Sequence, residues 1–157
     1  MAAQVWLKGG GLVKEAKATV AIRAGHLIEW DGSAALTVRP CTKNPANPGL
    51  SPTRKAFALE NGLIGKGVPV LPTDTTQDYV VGDQVVYVVP ERGAEIQAWL
   101  LTGQNVAIGD ALVSGTTGAL KKAVTSMGND DEEIVGYAMA ALNNVAGFDA
   151  RLRIEIA

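Results

Sequence analysis

His26 and Cys41 are the most reactive side chains in the sequence, and each is the single residue of its type. Nucleophilic catalysis needs a nucleophile, a base and a group that orients the base. No Gly-x-Ser-x-Gly elbow accompanies them. A single histidine excludes a histidine-cluster metal site, and a single cysteine excludes an internal disulfide. We interpret His26 as structural or exposed and Cys41 as a spectator thiol, and expect no enzymatic activity, with a small hydrolase using either of them as an alternative.

Two other segments resemble ligand-binding motifs without matching them. Residues 62–67 (Gly-Leu-Ile-Gly-Lys-Gly) are too closely spaced for a phosphate-binding loop, and Gly67 replaces the hydroxyl residue that binds magnesium. Asp130, Asp131, Glu132 and Glu133 are adjacent and lack the spacing of a calcium-binding loop. We therefore predict a connecting loop and a solvated acidic loop, and neither a metal site nor a cofactor.

Glycine and aspartate are adjacent at three positions where a turn is expected. Asp31-Gly32 separates two apolar-rich runs, which predicts a hairpin because both residues tolerate a positive φ. Gly82-Asp83 and Gly109-Asp110 lie in a repeated pattern, apolar-Gly-Asp-x-apolar-apolar. Glycine permits a tight turn there and aspartate can accept hydrogen bonds from its backbone. We predict structural turns at all three pairs.

Composition restricts the class of protein. The chain has 157 residues, of which 47% are hydrophobic and 19% charged, as expected for one domain with a hydrophobic core. A net charge of −2 gives no electrostatic footprint for nucleic acid. The absence of an apolar run of 18 residues predicts no transmembrane helix, and we expect no membrane partner.

Short strands separated by turns dominate the pattern from residue 20 onward. The 18 glycines and 7 prolines favour turns over long helices. Residues 151–156 alternate between charged and apolar side chains, which predicts a half-buried strand. We expect an all-β domain over residues 20–157, with about eight to ten short strands in a barrel or sandwich.

Residues 1–19 are predicted to form an extended N-terminal arm. Gly9, Gly10 and Gly11 resemble a flexible joint, and residues 12–18 could form one or two helical turns. An apolar arm is either disordered or docked on another subunit, and docking is the interpretation we adopt. The predicted partner interface consists of Val5, Trp6, Leu7, Leu12 and Val13.

Nine short segments of the chain form a recognisable succession, namely residues 22–29, 54–61, 81–83, 89–93, 98–100, 103–112, 118–122, 134–138 and 151–154. In this order they resemble the small cement, or decoration, proteins of tailed-bacteriophage heads. The resemblance covers residues 20–157, and no single segment is diagnostic.

The resemblance implies a non-enzymatic capsid protein with a β-tulip-type domain and no catalytic residues to carry over. Its implied partner is the major capsid protein, whose outer surface it binds as a homotrimer in the virion, after synthesis in the bacterial cytoplasm. Such a protein holds neighbouring capsomers together. A module that binds a glycan or a receptor on the host surface is the alternative, based on the long Pro- and Asn-rich loop at residues 40–55.

Overall fold

Strands are the main regular elements of the structure, a computed structural model that describes residues 4–42, 55–124 and 134–157. A short 3-10 helix spans Gly62–Ile64. The all-β prediction is confirmed, although the described residues contain thirteen strands because several are only two or three residues long. The strands are β1 Trp6–Lys8, β2 Gly11–Ala18, β3 Leu27–Trp30, β4 Thr37–Pro40, β5 Ala56–Ala58, β6 Gln84–Pro90, β7 Glu95–Leu100, β8 Asn105–Val106, β9 Ala111–Ser114, β10 Leu120–Lys122, β11 Gly136–Ala138, β12 Leu142–Asn143 and β13 Ala150–Ile156.

Five strands close into a first barrel in the order β2-β4-β3-β5-β6. β6 closes it by pairing antiparallel with β2 over Gly11 to Lys17, and β2 pairs in parallel with β4 at Lys17 and Ala18. β6 is apolar on both faces. Its Val85 belongs to the cluster inside this barrel, whereas Val88 belongs to the larger cluster shared with the rest of the molecule.

A second barrel is formed by the six-stranded sheet β1-β7-β10-β9-β11-β13. Because β13 pairs with both β11 and β7, five of its strands close into a ring, and β1 pairs with β7 outside that ring. The alternation predicted for β13 is confirmed, since Leu152, Ile154 and Ile156 are buried in the main cluster. The two-stranded sheet β8–β12 is separate from both barrels.

The N-terminal residues do not form the predicted arm. β1 belongs to the second barrel and β2 to the first, and β2 is a strand throughout, with no helical turn. Between them, Gly9 adopts a φ of 95°, and a Cβ at Gly9 would lie 2.7 Å from Ala94 Cα. The glycines therefore allow a packed corner between the barrels. The arm prediction is wrong for residues 4–18 because the partner strands β6 and β7 lie far along the chain.

Among the described residues, no helix is both long enough and apolar enough to cross a membrane.

Candidate interaction surfaces

Three of the five predicted interface residues are withdrawn from solvent. Val5 is fully buried in the main core, and its carbonyl accepts a hydrogen bond of 2.7 Å from Gln97 N. Trp6 and Leu7 are partly buried, and Trp6 packs against the same core. Val5 and Trp6 therefore pack within their own chain, against segments distant in sequence, which the sequence did not indicate.

Leu12 and Val13 remain available to a partner. Their side chains are 65% and 53% exposed, although they lie within a strand. Among the described residues, β4 covers β2 only at Lys17 and Ala18, so the edge from Gly11 to Ala16 opposite β6 has no strand partner there. An uncovered edge with exposed apolar side chains can accept an additional strand.

The Gly82-Asp83 turn has the predicted structural role. Gly82 has a φ of 88°, and the carboxylate of Asp83 accepts a hydrogen bond of 2.8 Å from Val80 N. Lys66 Nζ lies 3.2 Å from the same carboxylate. The hydrogen bond from Val80 and the interaction with Lys66 hold the pKa of Asp83 below its usual value. Gly82 N donates to Ala18 O at 2.8 Å, which fixes the turn to the end of β2.

The Gly109-Asp110 turn repeats this geometry. Gly109 has a φ of 86°, and the carboxylate of Asp110 accepts from Ala107 N at 2.7 Å. Lys122 Nζ lies 2.6 Å from that carboxylate, and the pKa of Asp110 is again lowered, first by the backbone hydrogen bond. Gly109 N donates to Ala138 O at 2.8 Å, at the end of β11.

The repetition extends beyond the turns. Three residues before each glycine, Tyr79 pairs with Ile22 and Val106 pairs with Leu142. We call residues 18–22 with 79–83 the first corner, and residues 138–142 with 106–110 the second corner. Each corner lies at the end of an antiparallel strand pair, β2–β6 in the first barrel and β9–β11 in the second.

The hairpin predicted at Asp31-Gly32 is confirmed, but the prediction that Asp31 and Gly32 form its turn is wrong. β3 and β4 pair antiparallel, with Trp30 opposite Val38, so residues 31–36 form a longer loop. The positive φ, 56°, falls on Leu36, and Gly32 has none. Asp31 still has a structural role, because its carboxylate accepts from Ser33 N at 3.1 Å.

His26 lies in a confined position between the barrels. Its Nδ1 accepts from Arg23 N at 3.3 Å, and a Cβ at Gly118 would lie 2.9 Å from its ring. Burial, followed by the charge of Arg23, lowers the pKa of His26 to about 3. The imidazole is therefore neutral at physiological pH.

Cys41 is fully buried in a chain of polar contacts that joins the two barrels. Ser114 Oγ of the second barrel lies 3.5 Å from Cys41 Sγ, and Cys41 Sγ lies 3.6 Å from the carboxylate of Glu29. Arg39 Nε and Thr42 Oγ1 each donate to Glu29 at 2.8 Å. These groups satisfy one another within the fold.

Two arginines from different segments of the chain place their guanidinium groups over the ring of Trp99. The guanidinium carbons of Arg23 and Arg151 each lie 5.1 Å from its centroid, and its indole N–H donates to Ala24 O at 2.8 Å. Arg23 also forms a two-point ion pair with Asp78, at 3.0 and 3.2 Å. Trp99 is thus a core residue that joins β7 to the segment before β3.

Exposed apolar side chains concentrate around the first corner, a feature that the sequence analysis missed. The loop at residues 61–78 contacts the corner through Lys66, whose Nζ donates to Asp78 O at 2.7 Å and faces Asp83. We call this region the apolar end. Its exposed residues are Leu63 (98%), Ile64 (44%), Val70 (93%), Leu71 (64%), Val80 (55%) and Val81 (70%).

Two of the predicted loops lie wholly or mostly outside the described residues. The acidic residues 130–133 and most of the loop at 40–55 fall outside the described ranges. Within the described part of the chain, no group of three or more histidine, cysteine, aspartate or glutamate residues could hold a metal ion.

Comparison with known proteins identifies a solved structure of similar fold. No protein-family model and no curated protein matches the sequence. The fold is similar to the crystal structure of the head fiber gp8.5 N base of bacteriophage phi29, with a TM-score of 0.56 and 15% sequence identity. The match covers 94% of this chain and 95% of that chain, so the two share one architecture along almost their whole lengths. The matched protein is a head fiber base, and the comparisons gave no decoration-protein family.

Proposed function

We propose that this chain is a structural protein of a tailed-phage head, which binds the outer surface of the capsid and holds neighbouring capsomers together. The observation that carries the proposal is the fold shared with a phage head fiber base over nearly all of both chains. The ordered resemblance to decoration proteins supports the same setting. The proposed location is the outer surface of the virion, after synthesis in the bacterial cytoplasm.

The proposed contact with the major capsid protein is the uncovered edge of β2. Leu12 and Val13 supply exposed apolar area there, and the backbone groups of the edge can bind an extended segment of the partner. Many copies on one shell would convert modest single contacts into stable attachment. Neither nucleic acid nor membrane is needed in this role.

A role without catalysis is part of the proposal. The buried Cys41 contacts Glu29 and Ser114, and the imidazole of His26 accepts a hydrogen bond from the backbone. Both reactive side chains thus support the junction between the barrels, and the fold gives each of them a structural use.

Co-sedimentation with phage heads tests the function. Purified protein is mixed with undecorated mature heads, and with procapsids as the control. We expect saturable binding to mature heads, and Val13→Glu should weaken it about tenfold, the effect of 1.4 kcal/mol. Val145→Glu is the matched control, because Val145 is 77% exposed and lies outside β2.

The absence of binding to either particle would overturn the capsid proposal. It would favour the host-surface alternative, for which Trp30 is the relevant observation. Trp30 is 47% exposed and stacks edge-on against Tyr87, with ring centroids 6.3 Å apart. An exposed aromatic on a rigid strand suits glycan binding, and a glycan array would then be the next measurement.

A further inference from the structure

Four side chains of two paired strands line one end of the first barrel. Tyr87 and Val89 lie on the inner face of β6, because Tyr87 belongs to the cluster inside this barrel and Val89 packs against it. Leu12 of β2 pairs with Val89, and Lys14 pairs with Tyr87, so these two side chains lie on the same inner face. Leu12 and Lys14 are nevertheless exposed, so the inner face is open to a partner at this end.

Trp30 completes this surface from β3, a strand that pairs with neither β2 nor β6. It follows Ile28 by two residues, and Ile28 is buried in the cluster inside the barrel, so both side chains lie on the inner face. The ring of Trp30 meets that of Tyr87 edge-on, with centroids 6.3 Å apart. The strand register and this ring contact join the residues into one surface. We call it the barrel mouth, and it consists of Leu12, Lys14, Trp30, Tyr87 and Val89.

The edge of β2 beside the barrel mouth has unpaired backbone groups. Lys17 N donates to Leu36 O at 2.9 Å, on the side of β2 that faces β4. Backbone groups of alternate residues point to the same side of a strand, so those of Val13 and Glu15 point to that side as well. Among the described residues, no strand pairs with them there. A row of amide donors and carbonyl acceptors at this spacing matches an extended polypeptide better than a saccharide.

Lys14 gives the barrel mouth a positive charge that its surroundings do not balance. Its ammonium group forms no ion pair within the described part of the chain. Glu15 lies on the outer face of β2 and accepts from Gln84 Nε2 at 3.4 Å, and the carboxylate of Asp31 accepts from Ser33 N at 3.1 Å. The group that complements Lys14 is therefore an acidic side chain of a partner.

We propose that the barrel mouth selects the sequence of the capsid segment that pairs with β2. This segment is an extended strand with an acidic residue opposite Lys14 and, two positions away, an apolar residue opposite Leu12. One strand supplies both, because side chains on one face of a strand recur every two residues, as Leu12 and Lys14 do. Trp30 is the aromatic wall against which the segment packs. The inference rests on the proposed function and adds the chemistry that the partner must have.

Charge reversal on the two faces of β2 tests the proposal in co-sedimentation with undecorated mature heads. Lys14→Glu should raise the dissociation constant about tenfold, because it places a like charge opposite the acidic residue of the segment. Lys17→Glu is the matched control. It makes the same change of charge at an exposed residue of the same strand, but on the outer face, and should leave the affinity unchanged.

The aromatic wall and the strand pairing give two further measurements. Trp30→Ala should raise the dissociation constant about tenfold, and Trp30→Phe should raise it much less, since phenylalanine keeps an apolar ring. Hydrogen–deuterium exchange of residues 11–16 should slow on head binding, because the amides of Val13 and Glu15 then donate to the added strand. A thermal unfolding curve identifies any variant that fails to fold. Lys14 is exposed, so Lys14→Glu decides the outcome if Trp30→Ala unfolds.

Two results would overturn this proposal while the proposed function stands. One is head binding that Lys14→Glu weakens no more than Lys17→Glu does, or that folded Trp30→Ala leaves unchanged. The other is head binding without slower exchange at residues 11–16. A wild-type chain that does not bind heads at all overturns the proposed function, and this proposal with it. A Trp30-dependent signal on a glycan array would then assign the barrel mouth to a saccharide.

Discussion

Directly beside the first corner, Arg23 and Asp78 form a buried ion pair next to the Ile22–Tyr79 bridge. At the corresponding positions beside the second corner, Asn143 pairs with Asn105, and both are exposed. The glycine and aspartate of each turn have the same geometry. The comparison teaches that the local Gly-Asp pattern determines the backbone conformation of a corner. Contacts from distant segments determine how much that corner contributes to the free energy of unfolding.

The largest expected effect concerns the two N-terminal strands, one in each barrel. Deleting residues 1–19 removes β1 from the second barrel and β2 from the first, including the end of β2 that holds the first corner. We expect no cooperative unfolding transition by circular dichroism. Deleting residues 1–10 removes β1 and the buried Val5, and should lower the free energy of unfolding by about 2 kcal/mol or more.

An intact transition in the longer deletion would contradict the assignment of β2 to the first barrel. It would instead support the extended arm.

Removing Arg23 beside the first corner should lower the free energy of unfolding far more than removing the Asn143 side chain beside the second corner. Arg23→Met leaves the Asp78 carboxylate buried without its partner, and should lower the free energy of unfolding by about 3–5 kcal/mol. Asn143→Ala should change it by about 0.5 kcal/mol or less, because Asn143 is exposed. Urea denaturation measures both, and similar losses would show that burial does not distinguish the corners.

The junction between the barrels should make stability depend on pH, through His26. Burial lowers the pKa of His26 to about 3, against 6.5 in the unfolded chain, so the unfolded state binds a proton that the folded state lacks between these values. Stability is therefore complete above about pH 6.5 and falls with acidification by up to about 1.4 kcal/mol per pH unit.

His26→Gln should remove this component, because glutamine does not titrate. The measurement is the free energy of unfolding of both proteins between pH 7 and pH 4.5. Parallel pH profiles would show that the pKa of His26 is not lowered in the folded state.

The two turns should respond equally to a change confined to the backbone. Gly82→Ala and Gly109→Ala each force a side chain to a positive φ, 88° and 86°, and should cost about 1 kcal/mol or more. Neither substitution meets a clash, since no atom lies within 4 Å of the added Cβ. Unequal shifts in thermal midpoint would mean that the surroundings alter the turn itself.

The difference between the corners explains what the sequence can predict. The Gly-Asp turns and the alternation of β13 were predictable because each pattern is local and has one physical solution. The burial of Val5 was not, because it depends on β7, about ninety residues away along the chain. The apolar end was not predicted, because residues 62–67 indicate only a connecting loop. The uncharged run at residues 68–72 is the sequence feature that points to exposed apolar side chains there.

The smallest expected difference lies in the two lysines that contact the turn aspartates. Lys66 is 14% exposed and also donates to Asp78 O, whereas Lys122 is 45% exposed. Lys66→Met should cost about 1 kcal/mol, because it removes the side-chain donor to the Asp78 carbonyl and leaves the Asp83 carboxylate with only its hydrogen bond from Val80 N. Lys122→Met should cost about 0.5 kcal/mol or less, since solvent screens an exposed pair.

Added salt should reduce the Lys122 effect further and leave that of Lys66 almost unchanged, because burial protects a pair from screening. Equal losses in low and high salt for both variants would show that the two corners are alike in their electrostatics as well as in their backbone.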